Sequence, residues 1–212
     1  MSEPKNIPVF PLGLVLYPKE LLPLHIFEDR YREMIAYCLD EKASFGVLLM
    51  QDGKMANVGC EAVIDRVVTT YEDGRMDIIV EGTQRFKVRD LQSSKSYMTA
   101  DIEEIEEPQE PIQVETRERV ITQHMRLLEL AGRKVRPNIY QNLDGISFFI
   151  AHNVGLSSEQ KQQVLEMLTE NERIVYLASH LETLIPKVEE YEDVRKKVQS
   201  NGHFKDFPPE VE

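Results

Sequence analysis

The sequence predicts an α+β fold: a strand-rich part with one helix, followed by a helical bundle. Three observations carry this. The hydrophobic period is near two up to about residue 105 and near 3.6 from residue 114 onward. Two turn signals, Gln51-Asp52-Gly53 and Glu72-Asp73-Gly74, punctuate the first half only. The charge is also uneven. The 212 residues carry 25 basic and 37 acidic side chains, a formal net of −12. Residues 101–115 alone hold seven acids and no base, against a net of −3 before them and −2 after. That stretch contains Pro108 and Pro111, which resist helix, so its first half reads as the end of a strand and its second as a linker. The expected division is a β domain at 1–107, a linker at 108–113, a helical bundle at 114–202 and a flexible tail at 203–212.

In the β part, Ile7 to Leu12 is apolar but interrupted by Pro8 and Pro11, which suits an edge strand or an extended entry. Leu14 to Pro18 and Leu21 to Leu24 are further apolar pieces kept from helix by proline. Between Glu28 and Leu39, Tyr31, Met34, Ile35, Cys38 and Leu39 recur at helical spacing, with Glu28 and Asp29 where a helix dipole favours acids. Phe45 to Met50 is a short apolar strand. Val58 to Thr70 is β-branched and long, which predicts a bend or bulge. Met76, Ile78 and Val80 alternate in strand period, Gly82-Thr83 is placed to close a hairpin, and Tyr97 to Ile105 is the last strand. About six short strands at this spacing predict a closed or nearly closed small sheet.

In the helical part, Val114 to Leu130 carries Val120, Ile121, His124, Leu127 and Leu128 on one stripe, and Gly132 fits its stop. Ile146 to Val154 is a short, very apolar helix. Ser157 with Gln160, and Thr169 with Glu172, have the spacing of capping boxes, opening a helix to Leu168 and then the last one. The last helix keeps its stripe from Ile174 to Val198 across Pro186, where a kink or break is expected, and Gly202 ends it.

Asp52-Gly53-Lys54-Met55 lacks the first glycine and the hydroxyl residue of a phosphate-binding loop, and no G-x-G-x-x-G, nucleophile elbow or H-E-x-x-H is present. The five histidines are widely spaced, and Cys38 and Cys60 read as buried small apolar groups rather than ligands. The clustered glutamates lack the spaced ligands of a calcium loop and read as a solvated linker. No metal or cofactor is expected. The acidic balance opposes nucleic-acid binding, which rests on Lys and Arg neutralising phosphates. Neither a signal peptide nor a run of 18 apolar residues is present, so a cytoplasmic protein is expected. Phe148-Phe149 reads as core, with an exposed recognition patch as the other reading.

The stretch Ile7 to Tyr31, IPVFPLGLVLYPKELLPLHIFEDRY, resembles the opening of the Lon N-terminal domain, especially of stand-alone Lon-domain proteins. Pro11, Pro18 and the run Leu22-Pro23-Leu24-His25-Ile26-Phe27-Glu28 fit its pattern, with Arg30 and Tyr31 following. Lys19-Glu20 stands near a position where the family often has glycine, and Asp29 where it often has proline. Ile79 to Phe86 is similar to a second family segment, and Leu156-Ser157 through Glu172-Arg173 to its helical part.

The resemblance implies a PUA-like β pseudo-barrel followed by a helical bundle. It further implies a non-catalytic polypeptide-binding module, without the ATPase or Ser–Lys protease modules of full-length Lon. The implied partners are unfolded or partner polypeptides and a Lon-type protease. An RNA-binding PUA-like protein and a regulatory adaptor for another complex are the alternatives, and oligomeric state is left open. The candidate peptide-binding residues are Leu14, Tyr17, Leu21 and Leu22, in the proline-rich segment where broken strands leave apolar surface; filling the barrel or its seam is their other reading. His25 is expected to be a hydrogen-bonded structural histidine and Arg30 to pair with a nearby carboxylate.

Overall fold

The structure, a computed structural model, describes residues 5–201 apart from 94, 134–136, 142 and 144; the side chains of 137, 197 and 199–201 are also outside the description. The expected stop at Gly202 and tail at 203–212 lie outside the described residues. Seven strands are present among the described residues: β1 Lys5–Leu12, β2 Leu21–Ile26, β3 Phe45–Gln51, β4 Lys54–Met55, β5 Val58–Thr70, β6 Met76–Gln92 and β7 Met98–Glu104. Helix α1, Asp29–Glu41, lies between β2 and β3. After β7 come α2 Val114–Leu130, a 3-10 turn at Pro137–Tyr140, α3 Ser147–Asn153, α4 Ser158–Glu166 and α5 Glu170–Asn201.

The sheet runs β1-β7-β6-β5-β3-β4, with β2 added alongside β6 and a parallel β1–β3 pairing that brings the two sides together. This circuit is irregular. The β5–β6 ladder shifts register three times, as the length of β5 predicts, and β1 and β3 share only four residue pairs. The sheet is therefore a pseudo-barrel, the nearly closed form of the two that strand spacing allows. Two expectations are corrected. First, β1 is not an edge: it pairs with β7 through Val9 and with β3 from Val9 onward. Most of its residues thus have a neighbour on one side only, which is what admits Pro8 and Pro11. Second, Gly82-Thr83 closes no hairpin, because β6 runs through it for 17 residues. Gly82 is required there because a Cβ would collide with the Tyr17 carbonyl. The loop before β2 docks at this point: Lys19 N–H donates to the Gly82 carbonyl (2.7 Å) and Gly82 N–H to that of Glu20 (2.9 Å).

The pseudo-barrel core gathers Phe10, Ile26, Met34, Ile35, Phe45 and Val80. The second large core belongs to the helices, with Val120, Ile150, Val164, Ile174, Leu177 and Leu181, and it takes in Val15, Tyr17 and Leu49 from the β part. The two parts therefore share a seam. Cys38 and Cys60 are free and buried, and burial pushes both thiols upward, Cys38 to about 11. Ser157 and Gln160 close a reciprocal capping box on α4. Thr169 and Glu172 do the same at α5, through Glu172 N–H to Thr169 Oγ1 (3.2 Å) and Thr169 N–H to Glu172 Oε2 (3.1 Å). Helix α4 stops at Glu166, short of Leu168. Helix α5 packs along α2, with Arg119–Glu182 and Arg126–Glu189 ion pairs on the outside, and it continues unbroken through Pro186. Among the described residues no helix is long and apolar enough to cross a membrane.

Candidate binding groove at the seam

The loop between β1 and β2 is held by side chains from the helices. Tyr17 is buried, its ring stacked on Phe148 at 5.1 Å between centroids and its hydroxyl donating to the Lys161 carbonyl (3.0 Å). Burial pushes that hydroxyl's pKa far upward, so it stays a neutral donor. The Glu20 carboxylate accepts the Tyr17 N–H (3.0 Å) and lies 2.7 Å from His152 Nδ1, tying the loop to α3.

Behind the loop sits a charged cluster. Arg173, at the start of α5, is 1% exposed. Its Nη2 contacts both Glu107 oxygens (2.6 and 2.7 Å) and Glu170 Oε2 (3.1 Å). Its Nε donates to Ser147 Oγ (2.7 Å), its Nη1 to the Met167 carbonyl (3.1 Å), and its guanidinium lies 4.4 Å from the Phe148 ring centre. Arg85, from β6, donates to the carbonyls of Leu165, Met167 and Leu168 (2.9, 2.6 and 3.1 Å). These are the free carbonyls left where α4 ends, which explains the early stop. Burial first, then the neighbouring Arg173, lowers the Arg85 pKa from its ordinary value. Glu170 in turn accepts the N–H groups of Ile146 and Ser147 (2.8 and 3.0 Å), capping α3.

The acidic linker crosses this cluster and is fastened at two places. Glu107 is held by the two arginines. Six residues on, Asn171 accepts from Gln113 N–H (3.0 Å) and donates to the Pro111 carbonyl (3.0 Å) and Glu110 (3.3 Å). Between loop, linker and α3 opens a groove of about 620 Å³. Three exposed apolar side chains from three elements line it: Leu21 (53% exposed), Ile112 (41%) and Phe149 (36%).

Of the four residues singled out from the sequence, Tyr17 and Leu21 line the groove. Tyr17 is enclosed and holds the wall, whereas Leu21 is open to solvent. Strand alternation turns Leu22 inward, paired opposite Val80 and packed on the pseudo-barrel core. Leu14 is half-buried and lies away from the lining. His25 Nδ1 meets Asp77 at 2.6 Å and Arg30 meets Glu28 at 2.8 Å, the structural pairings expected of them. Sequence reasoning missed Ile112, Glu107 and Arg173. The available signal for Arg173 was a charged residue four positions before Leu177 on an apolar stripe, a pattern that calls for a buried partner. Phe148 and Phe149 split between the two readings: Phe148 packs into the seam, while Phe149 leans edge-on against His124 and Tyr140 and presents part of its ring to the groove.

A pseudo-barrel leading into a helical bundle, with a grooved seam between them, is the class of fold on view. Residues 6–183 match the family model described as the ATP-dependent protease La (LON) substrate-binding domain, and the chain belongs to that family. It is 25% identical to the Lon protease of Escherichia coli K12 over 218 aligned positions, covering 93% of this chain and 27% of that protein. The Lon protease of Geobacter metallireducens is 27% identical, at 93% and 26% coverage. The chain thus spans about a quarter of the length of these relatives. Among solved structures, the Lon N-terminal domain protein of Xanthomonas campestris superposes with a TM-score of 0.66 at 25% identity, over 82% of this chain and 98% of that one. The N-terminal domain of the Mycobacterium avium complex Lon protease gives 0.61 at 18% identity, over 84% and 98%, and shares the fold. The matched region is, by the family's description, a substrate-binding one.

Proposed function

We propose that this protein is a non-catalytic recognition module that binds unfolded or partner polypeptides in the seam groove. A Lon-type protease is the partner whose work it serves, in the cytoplasm. The observation that carries this reading is the convergence of Leu21, Ile112 and Phe149, exposed apolar side chains from three separate elements, on one groove. Scattered surface apolar groups need no explanation, but a contiguous apolar groove rimmed by polar residues is the usual form of a polypeptide contact. Family membership supports substrate recognition as the role, and the two free, buried cysteines suit a reducing compartment. In this reading the β part (1–107), the linker (108–113) and the bundle (114–202) act together, because the groove needs all three. The four groove carboxylates, Glu20, Glu107, Glu110 and Glu170, weigh against the RNA-binding alternative.

The test is titration of the chain against a permanently unfolded, fluorescently labelled protein. Binding is expected, and the combined substitution Leu21→Asp, Ile112→Asp and Phe149→Asp is expected to weaken it at least about tenfold, as loss of an apolar contact centre does. Equal binding by that folded variant would remove the groove from the reading. Absence of binding to any unfolded chain would remove the polypeptide-recognition role.

A further inference from the structure

We infer that the groove selects apolar polypeptide segments flanked by lysine or arginine; this rests on the proposal above that the groove takes polypeptide. The apolar centre explains only why an uncharged stretch would enter. The surroundings specify what stands next to it. The linker that forms one wall belongs to the stretch 101–115, with seven acids and no base. Glu106, Glu110 and Glu115 are exposed, and none pairs with a Lys or Arg among the described residues. Glu110 lines the groove itself, where its only partner among the described residues is the neutral amide of Asn171 at 3.3 Å.

The positive charge near the groove is directed elsewhere. Arg173 is sealed under Phe148 with its donors taken by Glu107, Glu170, Ser147 and Met167, so it cannot reach a ligand's carboxylate without losing those contacts. Arg85 is 3% exposed and occupied by the carbonyls at the end of α4. Among the described lining residues, four carboxylates stand against two cations, Lys19 and Arg173. A segment with acidic flanks would therefore meet uncompensated carboxylates along the linker, whereas lysines there would face them across solvent. Charges placed around the rim of a contact act mainly through steering and discrimination between partners, and they are screened by salt.

The experiment uses the full chain and three labelled peptides of about a dozen residues. They share one Leu- and Phe-rich centre and differ only in Lys, Ser or Glu flanks. Fluorescence anisotropy at about 50 mM salt is expected to rank them Lys, Ser, Glu, with roughly tenfold between the extremes, narrowing to about twofold near 500 mM. The variant Glu106→Gln with Glu110→Gln, both at exposed positions, is expected to bring the Lys- and Glu-flanked affinities to within about twofold of each other, a ratio read within that one variant. Equal affinities at low salt, or a preference that survives this variant, overturn the inference. If the peptides bind equally and the Leu21, Ile112 and Phe149 substitutions still abolish binding, the polypeptide reading stands and only the charge selectivity falls. If none of the peptides binds, both fall.

Discussion

Replacing Arg173 by methionine tests the seam directly. The substitution keeps an unbranched apolar stem of similar length over Phe148, so lost packing is small and the change is chiefly electrostatic. It takes away a guanidinium that contacts Glu107 twice, Glu170 once and Ser147 Oγ. Removing one partner of a buried pair costs about 3–5 kcal/mol, because the remaining charge is left without compensation. Two features place this site at the low end. Glu107 keeps 35% of its side chain exposed, so water reaches it, and Glu170 retains the N–H groups of Ile146 and Ser147. The expected loss is therefore about 3 kcal/mol, or a fall in Tm of roughly 6–12 °C for a chain of this size. Urea unfolding followed by far-UV circular dichroism measures it. The double variant Arg173→Met with Glu107→Gln should recover part of the loss, since the stranded carboxylate is then gone. A cost below about 1 kcal/mol for Arg173→Met, or no coupling to Glu107, would refute the claim that this cluster joins the two parts.

Two further outcomes follow from other parts of the molecule. His124 is fully buried, its Nδ1 shares a 2.8 Å hydrogen bond with the Tyr140 hydroxyl, and burial, with a smaller effect from Arg133, lowers its pKa from 6.5 to about 4. The unfolded chain binds the proton first, so the stabilisation is complete above about pH 6.5 and is lost progressively as pH falls toward 4. Stability should drop by about 2 kcal/mol between roughly pH 7.5 and pH 5, and His124→Gln should flatten that slope in urea titrations. At Gly82, substitution by alanine drives a methyl into the Tyr17 carbonyl. Overpacking of this kind costs about 1–3 kcal/mol, and hydrogen exchange should show faster opening of residues 17–21 than in the parent chain, with α2 unchanged.

How far the sequence could be read depended on the range of the interaction behind each feature. Local signals were decisive. The spacing of Tyr31, Met34, Ile35 and Cys38 placed α1, and Ser157 with Gln160 and Thr169 with Glu172 placed the starts of α4 and α5. The excess length of β5 announced its bulges. Failures came where a distant partner overrode the local cue. Gly82 has the form of a turn residue, yet it lies inside a strand because a loop more than sixty positions earlier presses its backbone against it. The two prolines of β1 suggest an edge, yet the strand passes from one neighbour to another at Val9, so that each proline has a partner strand on one side only. The groove was legible only in part. Leu21 and Tyr17 could be selected because proline interrupts their segment, whereas Ile112 and Phe149 join them only through the approach of three elements distant in sequence.

The linker accounts for why a groove exists at the seam. Between β7 and α2 the chain carries Glu106, Glu107 and Glu110 with Pro108 and Pro111, side chains that suit neither apolar core nor a further stretch of strand. It must cross the joint in contact with water. It is fastened at one end by Glu107 on Arg173 and Arg85 and at the other by Asn171. Between these points it spans the joint as a wall, facing a loop that Tyr17, Glu20 and Gly82 hold equally firmly. The groove is therefore the space left between two fixed margins over the shared core, and Leu21 and Ile112 stay exposed because neither margin can close on the other. It follows that the seam cluster and the groove are one structure. Cutting the Glu107 anchor should loosen the wall that carries Ile112 before it harms either core, and weakened peptide binding should then precede any loss of fold.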